Sequence, residues 1–119
     1  MLVLMAAKPG SAVDLVKQEG EIRWAVRSDP LQVREGDRVR YTVRISDGND
    51  RPVDRANLRL IGTMPDGMVV RATVARTTEA GVYEATVIFP MAGAWRMELS
   101  ARGDAKTASF VFTETVGAR

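Results

Sequence analysis

The sequence has no histidine and no cysteine among its 119 residues. This excludes catalysis by serine with histidine or by cysteine with histidine. It also excludes disulfides, the usual zinc sites and iron–sulfur ligation. The carboxylates are scattered through turn-like stretches, with no acid and base paired at a recognisable spacing. The sequence therefore predicts a protein that is not an enzyme.

The sequence also has little net charge and no long apolar run. Seventeen basic and fifteen acidic residues leave a net charge of +2, which favours no nucleic acid partner. No apolar run approaches the roughly 18 residues that cross a membrane as a helix. Residues 1–7 (MLVLMAA) are apolar but lack the basic start and full apolar stretch of a signal peptide. We expect membrane association only through a leader or anchor that is removed.

Apolar and polar residues alternate through most of the chain, which is typical of strands with one buried face. The clearest run is residues 38–45 (RVRYTVRI), and similar runs occur at 22–26, 56–60, 68–74, 82–89, 95–99 and 108–112. Turns every 8–12 residues separate about seven or eight such strands, which predicts one antiparallel β-sandwich. We place this domain at residues 21–116, after a leader or extended arm at 1–20, and expect fraying from Val116 onwards.

The stretch from Glu79 to Leu99 supplies the centre of the expected core. Two alternating runs, 82–89 and 95–99, are joined by a short connection after Pro90, and we interpret them as a β-hairpin. Its inward face carries aromatic rings. The predicted structural core contains Tyr41, Tyr83, Phe89, Trp95 and Phe110.

Residues 79–85 (EAGVYEA) resemble the tyrosine corner of immunoglobulin-like sandwiches, in which the tyrosine hydroxyl bonds to the backbone upstream. A broader resemblance covers residues 22–101. The segments that carry it are 28–30 (SDP), 34–37 (REGD), 43–48 (VRISDG), 51–53 (RPV), 64–65 (MP), 81–83 (GVY) and 89–95 (FPMAGAW). Their order resembles the YtkA-like domain, which is related to FixH.

The resemblance implies an immunoglobulin-like fold and a periplasmic or other extracytoplasmic location. It also implies an accessory or interaction module linked to copper handling or to the assembly of copper enzymes, with another envelope protein as partner. The alternative is a ligand-free interaction or structural domain of a larger envelope protein.

Three methionines are the candidate metal ligands: Met64, Met68 and Met91. Thioether sulfur is a soft ligand that selects Cu(I), and loops at one end of a sandwich could bring the three together. The alternative is that Met68 and Met97 fill gaps in the core while Met64 and Met91 are ordinary loop residues.

Arg38, Arg40 and Arg44 lie on the polar face of the strand at 38–45. They could bind an anion or an acidic partner protein. They could equally form a solvated face that pairs with Glu84 or Glu98 across strands.

Overall fold

A computed structural model describes residues 14–19, 22–103 and 107–119, with Val16 as the one described side chain of the first segment. The described residues form strands and connecting turns. The ten strands are β1 (Asp14–Glu19), β2 (Ile22–Asp29), β3 (Val33–Arg34), β4 (Arg38–Ser46), β5 (Asn57–Thr63), β6 (Val69–Arg71), β7 (Thr73–Arg76), β8 (Val82–Ile88), β9 (Gly93–Arg102) and β10 (Thr107–Gly117).

The strands form two sheets of five strands each. The first sheet has the order β1-β2-β4-β8-β7 and the second the order β3-β10-β9-β5-β6. Neighbouring strands are antiparallel except β3 and β10, which are parallel. The chain is therefore all-β with two layers, as the alternation predicted.

Residues on the inner faces of both sheets form one apolar core, because every second side chain of a strand points to the same face. Aromatic rings from opposite sheets meet there. The ring centroids of Trp24 and Phe110 are 5.2 Å apart, and those of Tyr41 and Phe112 are 5.9 Å apart. The structure buries all five side chains predicted for the structural core.

The prediction of seven or eight antiparallel strands is too low, for two reasons. Residues 14–19, which the sequence places in the arm, form β1 and pair with β2. The run at 68–74 is divided into β6 and β7 at Ala72, where the chain passes from the second sheet to the first. The backbone N–H of Ala72 donates to the carbonyl of Leu60 at 3.0 Å. The rest of the predicted leader, at 1–13 and 20, lies outside the described residues.

The predicted hairpin at 79–99 is wrong, although its inward faces are right. β8 lies in the first sheet between β4 and β7, and β9 lies in the second between β10 and β5. The connection at 89–92 crosses from one layer to the other. Phe89 and Trp95 consequently contact each other inside the sandwich, with ring centroids 5.4 Å apart.

The predicted hydrogen bond from the tyrosine of the 79–85 stretch is confirmed. The hydroxyl of Tyr83 donates to the carbonyl of Val53 at 2.7 Å and accepts from the N–H of Ala56 at 2.9 Å. Both partners lie in the loop before β5. Gly81, two residues earlier, has φ +77°, and a Cβ there would lie 2.6 Å from the Cβ of Pro52. This close approach explains why glycine occupies that turn.

The C-terminal strand is held in place at the position where we expected fraying. Val116 is buried, and it pairs with Gly93 of β9 on one side and with Val33 of β3 on the other. The two-residue strand β3 is thus attached to the end of β10. The expectation of fraying from Val116 is wrong, because its side chain continues the inward face of β10.

Candidate functional site

The three candidate metal ligands lie on two loops at the same end of the sandwich. Met64 and Met68 close a tight turn, in which the N–H of Met64 donates to the carbonyl of Met68 at 2.9 Å. Met91 lies on the connection between β8 and β9. The Cε of Met64 occupies the space above Gly93, where a built Cβ would lie 2.5 Å from it. The turn at 64–68 therefore packs against the first residue of β9, two residues after Met91.

Burial distinguishes these methionines from one another. Met64 and Met68 are half-buried and pack against the core, whereas Met91 is 43% exposed. The carbonyl of Met91 accepts a hydrogen bond from Nε1 of Trp95 at 3.0 Å. Within the described part of the chain, no group of three or more histidine, cysteine, aspartate or glutamate residues could hold a metal ion.

The arginine stripe lies on the outer face of the first sheet, where Arg38, Arg40 and Arg44 are exposed. Arg44 forms an ion pair with Glu79 at 2.6 Å, and both side chains are more than half exposed. Its partner is therefore Glu79, not the expected Glu84 or Glu98. Glu98 lies on the second sheet, 3.8 Å from Arg96. Exposed pairs of this kind contribute about 0–1 kcal/mol, so this pair adds little to the stability of the fold.

A buried carboxylate lies between the sheets, and our sequence reasoning missed it. Glu114 of β10 is fully buried, and its Oε1 accepts a hydrogen bond from the hydroxyl of Tyr41 at 2.6 Å. Its Oε2 has no hydrogen-bond partner among the described residues, and neither has Oγ of Ser28. Ser28 lies directly opposite Tyr41 on β2.

Burial controls the ionisation of this pair, because a charged group loses its hydration there. It raises the pKa of Glu114 from 4.5 to about 7, while the hydrogen bond from Tyr41 acts in the opposite direction. Burial, followed by the charge of Glu114 and the hydrogen bond to it, raises the pKa of Tyr41 far above its ordinary value. Ser28 and Glu114 are the buried polar residues of the described core, so no second buried charge compensates Glu114 there.

The alternation of side chains along β10 is the sequence pattern that could have predicted this buried carboxylate. Phe110, Phe112 and Val116 are all buried, and Glu114 occupies the inward position between the last two. A glutamate in phase with apolar neighbours on a strand must enter the core or distort the strand.

The second sheet has an open edge along β10. On its outer side β10 pairs with β3 at Val116 and Gly117, and no described strand lies beside Thr107–Thr115. The outward side chains of this edge are threonine, serine and valine, all exposed: Thr107, Ser109, Val111, Thr113 and Thr115. The charges and prolines that usually protect an edge are missing from these positions.

None of the described residues belongs to a helix that is long and apolar enough to span a membrane.

Comparisons with known proteins identify both a family and a fold. The model of a family described as YtkA-like matches residues 16–100. No curated protein matches the sequence significantly. A DUF4426 family protein of Pseudomonas aeruginosa PAO1 has a similar structure, with a TM-score of 0.70 and 16% identity over 87% of this chain and 94% of its own.

A second similar structure is a DUF4785 family protein of Legionella pneumophila subsp. pneumophila str. Philadelphia 1. Its TM-score is 0.61 and its identity 15%, over 83% of this chain but 29% of its own. At such low identity these two likenesses concern the fold alone.

Proposed function

The chain belongs to the YtkA-like family, and from this premise we propose that it is a non-enzymatic, extracytoplasmic interaction module with an immunoglobulin-like sandwich. Its partner is another envelope protein, which adds a strand to the open edge of β10. The open edge carries this proposal. The extracytoplasmic location and the immunoglobulin-like classification rest on family resemblance, and the tyrosine corner at Tyr83 supports the latter.

Strand addition suits this edge for physical reasons. Backbone groups of an edge strand that find no partner are a template for another chain, and main-chain hydrogen bonds then supply affinity. The five outward residues of β10 are uncharged, and the three threonines and Val111 among them have high strand propensity. Val111 is 41% exposed there, which gives an added strand one apolar contact near the middle of the edge.

Photo-crosslinking in cells tests this function and identifies the partner in the same experiment. A photo-crosslinking residue is placed at Ser109 or at Val111, and we expect both positions to yield an adduct with the same partner protein, identified by mass spectrometry. The substitution Thr113→Lys should reduce the amount of this adduct. Lysine places a charge beside the added strand, which opposes edge pairing. The matched control is Thr42, exposed on the first sheet. Identical adducts from Thr42, or none from the β10 positions, would contradict edge binding.

Copper handling is the second candidate function, favoured by the position of the two methionine-bearing loops at one end of the sandwich. Met64 Cε packs above Gly93, two residues after Met91. Cu(I) prefers thioether ligands, and the exposed Met91 offers one at the surface. Against this, Met64 and Met68 already pack on the core, so binding an ion would require their side chains to turn outwards.

A Cu(I) titration against a competing chelator separates this candidate from the first. If copper handling is correct, the protein binds Cu(I) with a Kd below about 1 µM. Replacing Met64, Met68 and Met91 together with leucine abolishes that binding. Met97→Leu is the matched control, because Met97 is fully buried in the core. Binding no tighter than about 1 µM, or equal binding by the triple variant, excludes the methionine site.

A further inference from the structure

Three arginines on three successive strands line a cleft that is bordered by strands of both sheets. We call it the arginine cleft: it has a volume of ≈ 650 Å³ and is lined by Arg59 of β5, Arg71 of β6 and Arg76 of β7. All three are exposed. No acidic side chain is among its lining residues. None of the three forms an ion pair with a described residue.

Strand register places the three arginines on different faces of the two sheets that border the cleft. Arg76 lies opposite Tyr83, whose side chain is buried, so Arg76 is on the inner face of the first sheet at its edge. Arg71 lies opposite Ile61, two residues after Arg59 on β5. Arg59 and Arg71 therefore share the outer face of the second sheet.

Open strand edges border the arginine cleft on both sides. β7 is the last strand of the first sheet. β5 pairs with β6 at Ile61–Thr63, which leaves Asn57–Leu60 without a described strand on that side. One of these backbone groups, the carbonyl of Leu60, accepts the N–H of Ala72. The remaining edges can pair with an extended chain.

We propose that the arginine cleft binds an extended, acidic segment of a partner protein. Carboxylates at alternate positions of such a segment pair with the guanidinium groups, for which a planar two-oxygen acceptor is the best match. Its backbone bonds to the open edges. This surface is separate from the outer edge of β10, and the inference does not depend on the function proposed above.

The lining of the cleft favours a peptide over other anions. Its other lining residues include the partly buried Ala72 and Val74, apolar side chains that suit aliphatic parts of a peptide and offer nothing to a small inorganic anion. Single-stranded nucleic acid needs exposed aromatic rings for stacking. The aromatic lining residue, Tyr83, is buried, with its hydroxyl engaged by the backbone.

A peptide titration tests the inference directly. The probe is a synthetic peptide about eight residues long, alternating glutamate with threonine and blocked at both ends, and binding is measured by calorimetry. We expect the triple variant R59Q/R71Q/R76Q to bind it at least about tenfold more weakly than the unmodified protein. The same loss is expected when glutamine replaces every glutamate of the peptide.

The matched control is R23Q/R27Q/R34Q, which removes the same number of exposed charges from β2 and β3, each at least three strands away from the cleft strands of its own sheet. We expect its affinity to fall by less than about twofold, because distant surface charges are screened. Equal losses in the two triple variants would overturn the inference, since binding would then follow net charge. Inorganic phosphate or a single-stranded oligonucleotide that displaces the peptide at equal charge concentration would also overturn it. Unchanged melting temperatures of both variants show that the losses are local.

Discussion

Replacing Trp95 with alanine is expected to lower the free energy of unfolding by about 3–5 kcal/mol. The side chain is fully buried on β9, which lies between β10 and β5 in the second sheet. Its ring contacts Phe89 of the first sheet, and its N–H donates to the carbonyl of Met91. Truncation removes the packing between the layers and leaves a cavity. Chemical denaturation monitored by circular dichroism measures the loss.

Two phenylalanine variants separate packing from hydrogen bonding in this prediction. Trp95→Phe loses part of the ring and the bond to Met91. Trp24→Phe loses the same atoms, but Nε1 of Trp24 has no described hydrogen-bond partner. We expect the Trp95 variant to be the less stable of the two by about 1 kcal/mol. A loss below about 1 kcal/mol for Trp95→Ala would show that the two layers do not depend on this ring.

Glu114 is expected to make the protein less stable as the pH rises from 4 to 8. Its folded pKa is about 7 and its ordinary value 4.5. Between these values the folded chain holds a proton that the unfolded chain has released, so rising pH favours unfolding. The contribution is fully present below pH 4.5 and is lost as the pH passes 7. A shift of this size corresponds to about 3 kcal/mol.

The difference in the free energy of unfolding between the wild type and Glu114→Gln isolates the contribution of Glu114 from that of the other carboxylates. The variant cannot titrate at this position, so its stability relative to wild type should rise by about 3 kcal/mol between pH 4 and pH 8. Tyr41→Phe removes the hydrogen bond that stabilises the carboxylate and should move the transition to higher pH. If the stability difference between the wild type and Glu114→Gln did not change with pH, Glu114 would have its ordinary pKa in the folded protein.

The sequence predicted the strands wherever one face is buried and the other is solvated. The run at 38–45 is the clearest case, because its alternation matches the burial pattern of β4 residue by residue. Only alternation is needed for such a prediction, since successive side chains point to opposite faces.

Alternation cannot tell which sheet a strand joins, and this explains the incorrect hairpin. Tyr83 and Trp95 point inwards both when β8 pairs with β9 and when the two strands lie in opposite layers. The connection at 89–92 decides between these arrangements, and its residue types are compatible with both. The division at Ala72 was missed for the same reason, because its neighbours continue the inward face through the crossing.

The candidate sites were predictable as residue types but not as surfaces. The hydrogen bond between Tyr41 and Glu114 joins residues 73 positions apart, which no local pattern reports. The arginine cleft needs Arg59 and Arg76 on different sheets. Similarly, the sequence placed Met64 and Met91 in loops, but their unequal burial depends on how the loops pack at the end of the sandwich.

The parallel bridge between Val33 and Val116 has a consequence for the order of folding. The strand at residue 33 is synthesised long before its partner at residue 116. Loop closure over such a separation delays the contact. Until β10 is made, the incomplete second layer exposes apolar residues, so a nascent chain should depend on chaperone binding until β10 has been synthesised.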